Sequence, residues 1–326
     1  MNELPIALPG AVTTRRSLDL KRHLLSGEAM LYVAFIALII LFSLASPVFL
    51  SLSNFENIGR QTALVSIIAV GMTFVIIAGE FDLSVGSVLA LAGVISALAM
   101  KYAGQNWMIG ALGALGTGAL VGLVNGVLTT RFRIPSFLIT LGSLGIARGL
   151  AMMLTDTRPI IITSETYFAI FGEGHLLGVP VVIIWTIVAA VVGIVLLHYS
   201  TFGRRVYATG GNVTAAHYSG ISTTRVKITT LVVTGLLAGL AALILSARSH
   251  AARPDVGAGL ELDVITAVIL GGAALSGGRG TIAGSLVGSL IIGILNNGLV
   301  LLGVDSSLQI AIKGLIIWVS VIVSRK

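Results

Sequence analysis

The feature that most constrains this chain is a succession of long apolar runs separated by short polar segments. A run of about 20 apolar residues is long enough to cross the hydrocarbon core of a bilayer as a helix. Of the 326 residues, 56% are hydrophobic and only 10% are charged, whereas about a quarter of the residues of a soluble globular protein are charged. The sequence therefore predicts an all-α, polytopic membrane protein.

Ten runs are candidate transmembrane helices. They are residues 30–50, 62–78, 85–100, 107–128, 135–154, 180–199, 228–247, 263–275, 281–302 and 308–323. We interpret 30–324 as a single transmembrane domain of two five-helix halves, about 30–199 and 228–324, joined by a polar loop at 200–227. The run 263–275 is short for a span and is a candidate half-helix or re-entrant segment.

The distribution of basic residues predicts the orientation, because short cytoplasmic loops carry an excess of Lys and Arg. An even number of spans places both termini on one side, and residues 1–29 are then a cytoplasmic tail. That side receives thirteen basic residues: Arg15, Arg16, Lys21, Arg22, Arg131, Arg133, Arg204, Arg205, Arg225, Lys227, Arg279, Arg325 and Lys326. The other side receives five: Arg60, Lys101, Arg158, Arg248 and Arg253. A cleaved signal peptide is disfavoured, since the first run is longer than a signal h-region.

The polar loop carries four basic residues and no acidic one. Within it, Gly210-Gly211-Asn212 precedes a short segment that ends at Gly220, which predicts an N-cap, about two helical turns and a C-terminal glycine. This helix is a candidate docking site for a soluble partner; the alternative is a simple reversal between two spans. Ala215 and Ala216 would allow close approach. The candidate docking residues are Gly211, Asn212, Ala215, Ala216, His217, Tyr218, Ser219 and Gly220.

The turn at 79–87 contains two carboxylates, Glu80 and Asp82. Asp82 or Ser84 is expected to cap the next helix, with Gly86 in its first turn. The alternative is a proton- or ion-coupling carboxylate of a secondary transporter. We favour capping, because a coupling carboxylate is expected near mid-membrane and these residues lie in a turn.

A second turn, 271–280, is rich in glycine and includes Gly278 and Gly280. No strand precedes it and no Lys-Ser/Thr pair follows, so it predicts a hinge or a close helix crossing instead of a nucleotide site. A phosphate-binding loop of the Gly-x-x-x-x-Gly-Lys-Ser/Thr type is absent from the sequence, and ATP could act only through another polypeptide.

Several polar residues lie in the predicted outer halves of spans, where they should face the bundle interior or a water-filled cavity. These candidates for lining a translocation path are Arg148, Asn296, Asn297, Gln309 and Lys313. Hydrogen bonding between helices and snorkelling to the interface are the alternatives.

Other functional classes receive little support. The chain contains no cysteine, and its five histidines are dispersed at loops and helix ends: His23, His175, His198, His217 and His250. Neither a metal site nor an intramembrane catalytic site is predicted. The basic residues are scattered between apolar runs, which argues against nucleic acid as a partner.

Several ordered motifs resemble the permease subunits of bacterial ABC importers for ribose, xylose, arabinose and related monosaccharides, over about residues 30–324. The resemblance rests on five segments: 80–87, 134–142, 211–221, 271–280 and 296–299. At Gly79-Glu80 the family more often has two glycines before an aliphatic residue.

The resemblance implies a transport subunit of the bacterial inner membrane that performs no covalent chemistry and binds no cofactor. Its partners would be a second permease copy, a cytoplasmic ATPase that holds ATP and Mg²⁺, and an extracytoplasmic sugar-binding protein that delivers the monosaccharide. The docking helix would be the coupling helix to the ATPase. Arg60, Arg248 and Arg253 are candidate contacts for the binding protein. The rival interpretation remains a proton-coupled transporter that uses Asp82 and Glu80.

Overall fold

A computed structural model describes residues 27–324. The predictions for the tail cations, His23, Arg325 and Lys326 lie outside the described residues. The helices are α1 (Gly27–Ala45), α2 (Leu52–Ile77), α3 (Val85–Tyr102), α4 (Trp107–Phe132), α5 (Ser136–Thr155), α6 (Glu165–Phe171), α7 (Val181–Ile194, continued by a π-helical turn, Val195–Tyr199), α8 (Thr201–Gly211), α9 (Val213–Tyr218), α10 (Thr223–Arg248), α11 (Leu260–Leu270), α12 (Ile282–Leu301) and α13 (Ser306–Ser324). Four two-residue strands form two antiparallel pairs: β1 (Ile160–Ile161) with β4 (Ala251–Ala252), and β2 (His175–Leu176) with β3 (Val179–Pro180).

Seven helices in the described part of the chain are long and apolar enough to cross a membrane: α2, α3, α4, α5, α7 with its π-helical turn, α10 and α12. Each of the ten predicted runs coincides with a helix, but α1 and α13 contain shorter apolar stretches. Helix α11 has only 11 residues, about 16 Å at 1.5 Å per residue, or half of a hydrocarbon core of about 30 Å. The number of ten complete spans therefore stays a prediction, and the short run has the length of a half-helix.

The division into two five-helix halves is wrong. Six of the helices that match predicted runs, α1 to α5 and α7, precede the polar loop, and four, α10 to α13, follow it. Six is also the count that the predicted orientation requires, since an even number of crossings returns the chain to the side on which it began.

Contacts between residues that are distant in sequence define the two ends of the bundle. At the α9 end, the Gly278 N–H donates to the Ile77 carbonyl at 2.8 Å, and Lys227 pairs with Glu80 at 2.5 Å. At the opposite end, which we call the cap end, strand β1 pairs with β4, and Arg248 donates to the Arg60 carbonyl at 2.9 Å. Helix α6 and the hairpin β2–β3 form the cap there.

Helices α2, α3 and α10 form the centre of the bundle, and α4 and α5 lie at its periphery. The most apolar window of α2 is 83% buried and that of α5 only 17%. Helix α10 packs against α4 with little separation: a Cβ on Gly118 would meet the Gly235 carbonyl. Small residues permit this approach where lipid supplies no hydrophobic drive between helices. The broad exposed surfaces of α4 and α5 are left for lipid or for another chain.

Candidate functional site: an exposed helix and a polar segment inside the bundle

The predicted short helix in the polar loop is present as α9. The Asn212 side chain accepts a hydrogen bond from the Ala215 N–H at 2.9 Å and so caps the helix. Gly220, just beyond its end, has a φ of +81°, as expected for a residue that terminates a helix in the left-handed region. The local chemistry of the sequence was therefore sufficient to predict this helix.

Sequence reasoning missed α8, the 11-residue helix that leads into α9. Ser200 caps it by accepting from the Gly203 N–H at 3.2 Å. Phe202 and Val206, four residues apart, pack on the bundle, and this spacing on one helical face was the available signal.

The exposed surface of α9 differs from the predicted one at a single residue. Tyr218 is 86% exposed and Ala215 is also exposed, but Ala216 is only 4% exposed and is directed towards its own chain. The expectation that Ala216 meets a partner is therefore corrected. One face of this six-residue helix packs against the bundle, and Ala216 lies on that face. Ala215 remains on the accessible face.

Three glycine-containing segments meet directly beneath the start of α9. They are the end of α2, the end of α8 and the turn after α11. A Cβ on Gly277 would lie 2.9 Å from the Gly210 carbonyl oxygen and 3.1 Å from the Gly79 Cα, and one on Gly278 would lie 2.8 Å from the Gly211 Cα. We call this contact the glycine junction. The predicted glycine-rich turn is thus a close backbone crossing.

Tyr207 of α8 strengthens the same contact. Its hydroxyl donates to the Gly280 carbonyl at 2.7 Å, so the structural-turn residue Gly280 also lies beside α8. The turn between α11 and α12 is therefore packed against α8, the helix that leads into α9.

Residues 79–84, after α2, run back into the bundle instead of forming a surface turn. The Phe81 N–H donates to Ser136 at 2.8 Å, and the Leu83 N–H donates to Thr140 at 3.0 Å. Ser136 and Thr140 are one turn apart at the start of α5, so this non-helical segment runs alongside the first turn of α5. Backbone that is not helical is tolerated at membrane depth only where protein buries it or where it lines a water-filled cavity.

Asp82 lies within this segment and is only 1% exposed. Its Oδ1 accepts from the Ser84 N–H at 2.9 Å and from the Ser84 hydroxyl at 2.5 Å. Ser84 in turn accepts from Asn125 at 3.1 Å, and Ser143 donates to Asn125 at 2.5 Å. The carboxylate is the end of a buried polar chain that joins the segment to α4 and α5.

The capping prediction needs two corrections. Ser84 makes no side-chain capping bond, and Asp82 binds the N–H of Ser84, the residue before α3. Asp82 also lies deeper than a surface turn, because its partner Ser84 accepts from Asn125, which is about two turns from the end of α4. Glu80, in contrast, stays at the α9 end as the partner of Lys227.

A second irregular segment, 253–259, enters the bundle from the cap end. Arg148 donates to the Pro254 carbonyl at 2.5 Å and to the Val256 carbonyl at 2.6 Å. Gly86, in the first turn of α3, lies so close to Gly257 that a Cβ on Gly86 would meet the Gly257 carbonyl. Irregular segments from both ends thus meet inside the helices.

The structure does not bring the five predicted path residues together. Arg148 holds the segment 253–259, and Lys313 pairs with Asp263 at 3.0 Å. Gln309 donates to the Val304 carbonyl at 2.8 Å, within its own turn. Asn297 forms a reciprocal amide pair with Asn54, at 2.9 and 3.0 Å, which is the helix-to-helix alternative. The neighbouring Asn296 has a buried Oδ1 without a partner among the residues described.

The three predicted docking cations lie at the cap end in different settings. Arg253 is exposed and makes a bidentate pair with Asp255, at 3.1 and 2.7 Å; this hydrogen bonding holds the pKa of the Asp255 carboxyl below its usual range. Arg248 donates to the Arg60 carbonyl. Arg60 approaches Glu56 and His175 only at 3.6 and 3.5 Å.

A bundle of apolar helices, with irregular polar segments entering from both ends and a capped helix exposed at one end, defines a multi-pass membrane transport protein. A family model described as the permease component of the branched-chain amino acid transport system matches residues 54–321. The chain belongs to this permease family.

Curated relatives span nearly the whole chain. The ribose import permease protein RbsC of Bacillus subtilis is 45% identical, over 90% of this chain and 92% of its own length. RbsC of Escherichia coli K12 is 41% identical over the same shares, and the L-arabinose ABC transporter permease protein AraH of Azospirillum brasilense is 39% identical over 91% and 86%. The predicted resemblance to sugar importer permeases is confirmed. Among solved structures, none matches.

Proposed function

We propose that this chain is the membrane-spanning subunit of an ATP-driven importer that translocates a monosaccharide. The relatives named for ribose and arabinose import support the substrate class. The proposed coupling to an ATPase rests on α9, a capped helix that is held by the glycine junction and exposed on the rest of its surface. In the proposed assembly α9 inserts into a cytoplasmic ATPase, which binds ATP and Mg²⁺, and the α9 end is cytoplasmic.

The glycine junction supports a mechanical role for α9. Because α8, the end of α2 and the turn before α12 touch through backbone atoms, movement of α9 driven by an ATPase would be transmitted to α2 and α12. Packed backbone has little room to deform, so such a contact moves as a unit. The irregular segments 79–84 and 253–259 adjoin these helices, and we propose that the sugar passes beside them.

At the cap end we propose that a sugar-binding protein docks. Of the three predicted cations, Arg253 is the one that is exposed, and its partner Asp255 provides a charge of the opposite sign. Complementary charges at such a surface would steer association and make it depend on salt.

A second permease copy is proposed to cover α5. Gly142, Gly145 and Gly149 lie on one exposed face of this helix, and each would leave open space around an added Cβ. Because the chain has no cysteine, a Gly145→Cys variant provides a single thiol. Oxidation of this variant in membranes should yield a covalent dimer. The arrangement would be contradicted if Gly145→Cys stays monomeric while a Gly104→Cys variant, whose thiol lies at the cap end, forms the crosslinked dimer instead.

The experiment that tests the coupling role compares two neighbouring alanines. Ala215→Arg adds bulk and charge on the accessible face of α9, so the fold should survive and the association with the ATPase should fall at least tenfold, which corresponds to about 1.4 kcal/mol. Ala216→Arg would also disturb the chain's own packing and is therefore the weaker test.

The readouts are co-purification of the ATPase, ATP-dependent ribose uptake in proteoliposomes, and the melting temperature of the isolated variant. A proton-coupled transporter would tolerate Ala215→Arg, since nothing would dock on α9. Parental uptake by Ala215→Arg with the ATPase still bound would refute the proposed coupling.

A further inference from the structure

An apolar groove lies at the cap end, between the cap and helix α7. Its volume is about 440 Å³, within the range of about 300–1,000 Å³ that is typical of ligand sites. Its apolar lining comes from both sides: Ala169, Ile170, Val181, Ile184, Trp185 and Val188. Since α7 is a membrane-spanning helix and Val188 is 44% exposed, the groove faces the region that lipid occupies.

One end of the groove lies near Arg60, a cation whose N–H donors do not all have hydrogen-bond partners. His175 lines the groove, and its Nε2 lies 3.5 Å from Nη2 of Arg60. The same Nη2 lies 3.6 Å from Glu56. Hydrogen bonds from N–H groups are normally about 2.7–3.2 Å long, and a guanidinium has five N–H donors. The Nε of Arg60 is buried and has no partner within the described range 27–324.

The guanidinium of Arg248 adds a second positive charge near Arg60. Arg248 donates to the Arg60 carbonyl at 2.9 Å, so a second arginine and a histidine lie beside Arg60, whose guanidinium approaches one carboxylate, Glu56. Such a cluster is suited to an anion, and a planar guanidinium binds the oxygens of a phosphate through paired hydrogen bonds.

We propose that this groove holds one acyl chain of a phospholipid whose phosphate binds Arg60 and His175. The apolar lining suits the chain, and Trp185 has the amphipathic ring that is favoured at membrane interfaces. In the orientation of the proposed function, the lipid belongs to the outer leaflet. Arg60 is thereby assigned to lipid instead of to a binding protein.

The test uses the full-length chain, stripped of lipid in detergent micelles and titrated with phosphatidylglycerol while its melting temperature is followed. The melting temperature should rise to a plateau. Inorganic phosphate and diacylglycerol, which supply only the headgroup charge or only the chains, should not reproduce this rise at equal concentration. Because neither ATPase nor sugar is needed, failure here leaves the importer proposal standing.

Two variants address the two halves of the site. Arg60→Gln removes the phosphate contact, and Ala169→Phe fills the groove from an exposed position without entering the core. Each should raise the phosphatidylglycerol concentration at half-maximal stabilisation at least tenfold, with an unchanged melting temperature before lipid is added. Arg158→Gln, an exposed cation of the same surface, is the control and should respond as the parent does.

Three results would overturn the proposal. They are an equal response to phosphatidylglycerol in the parent and both variants, an equal rise with inorganic phosphate alone, and loss of stimulation by a binding protein in Arg60→Gln with its lipid response intact. The last result would assign Arg60 to protein docking.

Discussion

The glycine junction makes a quantitative prediction through Gly278→Ala. This residue has a φ of +75°, where an alanine is strained by about 1–2 kcal/mol. The new Cβ would also lie 2.8 Å from the Gly211 Cα and 2.9 Å from the Gly211 nitrogen. Carbon atoms in contact prefer about 3.5–4.0 Å, so backbone must shift, and overpacking of this kind costs about 1–3 kcal/mol. The expected total loss of unfolding free energy is about 2–5 kcal/mol.

Gly272→Ala provides the matched control. Gly272 lies in the same turn with a φ of +88°, but a Cβ there would meet nothing within 4 Å. This variant should carry the conformational cost alone, about 1–2 kcal/mol. The difference in unfolding free energy between the two variants is the steric contribution of the backbone contact at the junction.

Denaturant titration of the purified protein in micelles measures both losses, and co-purification measures retention of the ATPase. Gly278→Ala should also release the ATPase, because the shift moves the residues that precede α9. Equal unfolding free energies for the two variants would refute the inference that backbone contact at the junction holds α9 in place.

Three further predictions concern orientation, helix pairing and the buried carboxylate. A reporter fused after Arg204 should be cytoplasmic and one inserted in the loop 155–179 should be external; cytoplasmic activity of the second would reject the orientation. Asn297→Leu leaves the Asn54 Oδ1 without its donor, although the Asn54 Nδ2 still donates to the Phe49 carbonyl, and should cost about 1–3 kcal/mol in micelles. The double variant with Leu at both positions should recover part of this loss; additive losses would argue against the amide pair. Asp82→Asn retains an oxygen that can accept from the adjacent N–H and hydroxyl, so ATP-dependent uptake should persist, whereas loss of uptake with normal folding and ATPase binding would favour proton coupling.

Local sequence chemistry was sufficient for the membrane class, the positions of the apolar helices and helix α9. The apolar helices were predictable because length and polarity decide whether a helix can span a bilayer. Helix α9 was predictable because Asn212 and Gly220 act on backbone only a few residues away. The same logic marked 263–275 as too short for a span. The unequal division of helices, six before the loop and four after, could also have been counted from the runs.

The tertiary structure alone decided what the polar residues do. Asn297 pairs with a residue 243 positions away, Arg148 binds carbonyls more than 100 positions away, and Asp82 is buried because residues 79–84 run alongside α5. The side of α9 that bears Ala216 is likewise covered by the chain itself. A polar side chain in a membrane must find a partner, but its own sequence neighbourhood does not specify which one, because that choice depends on how distant helices pack.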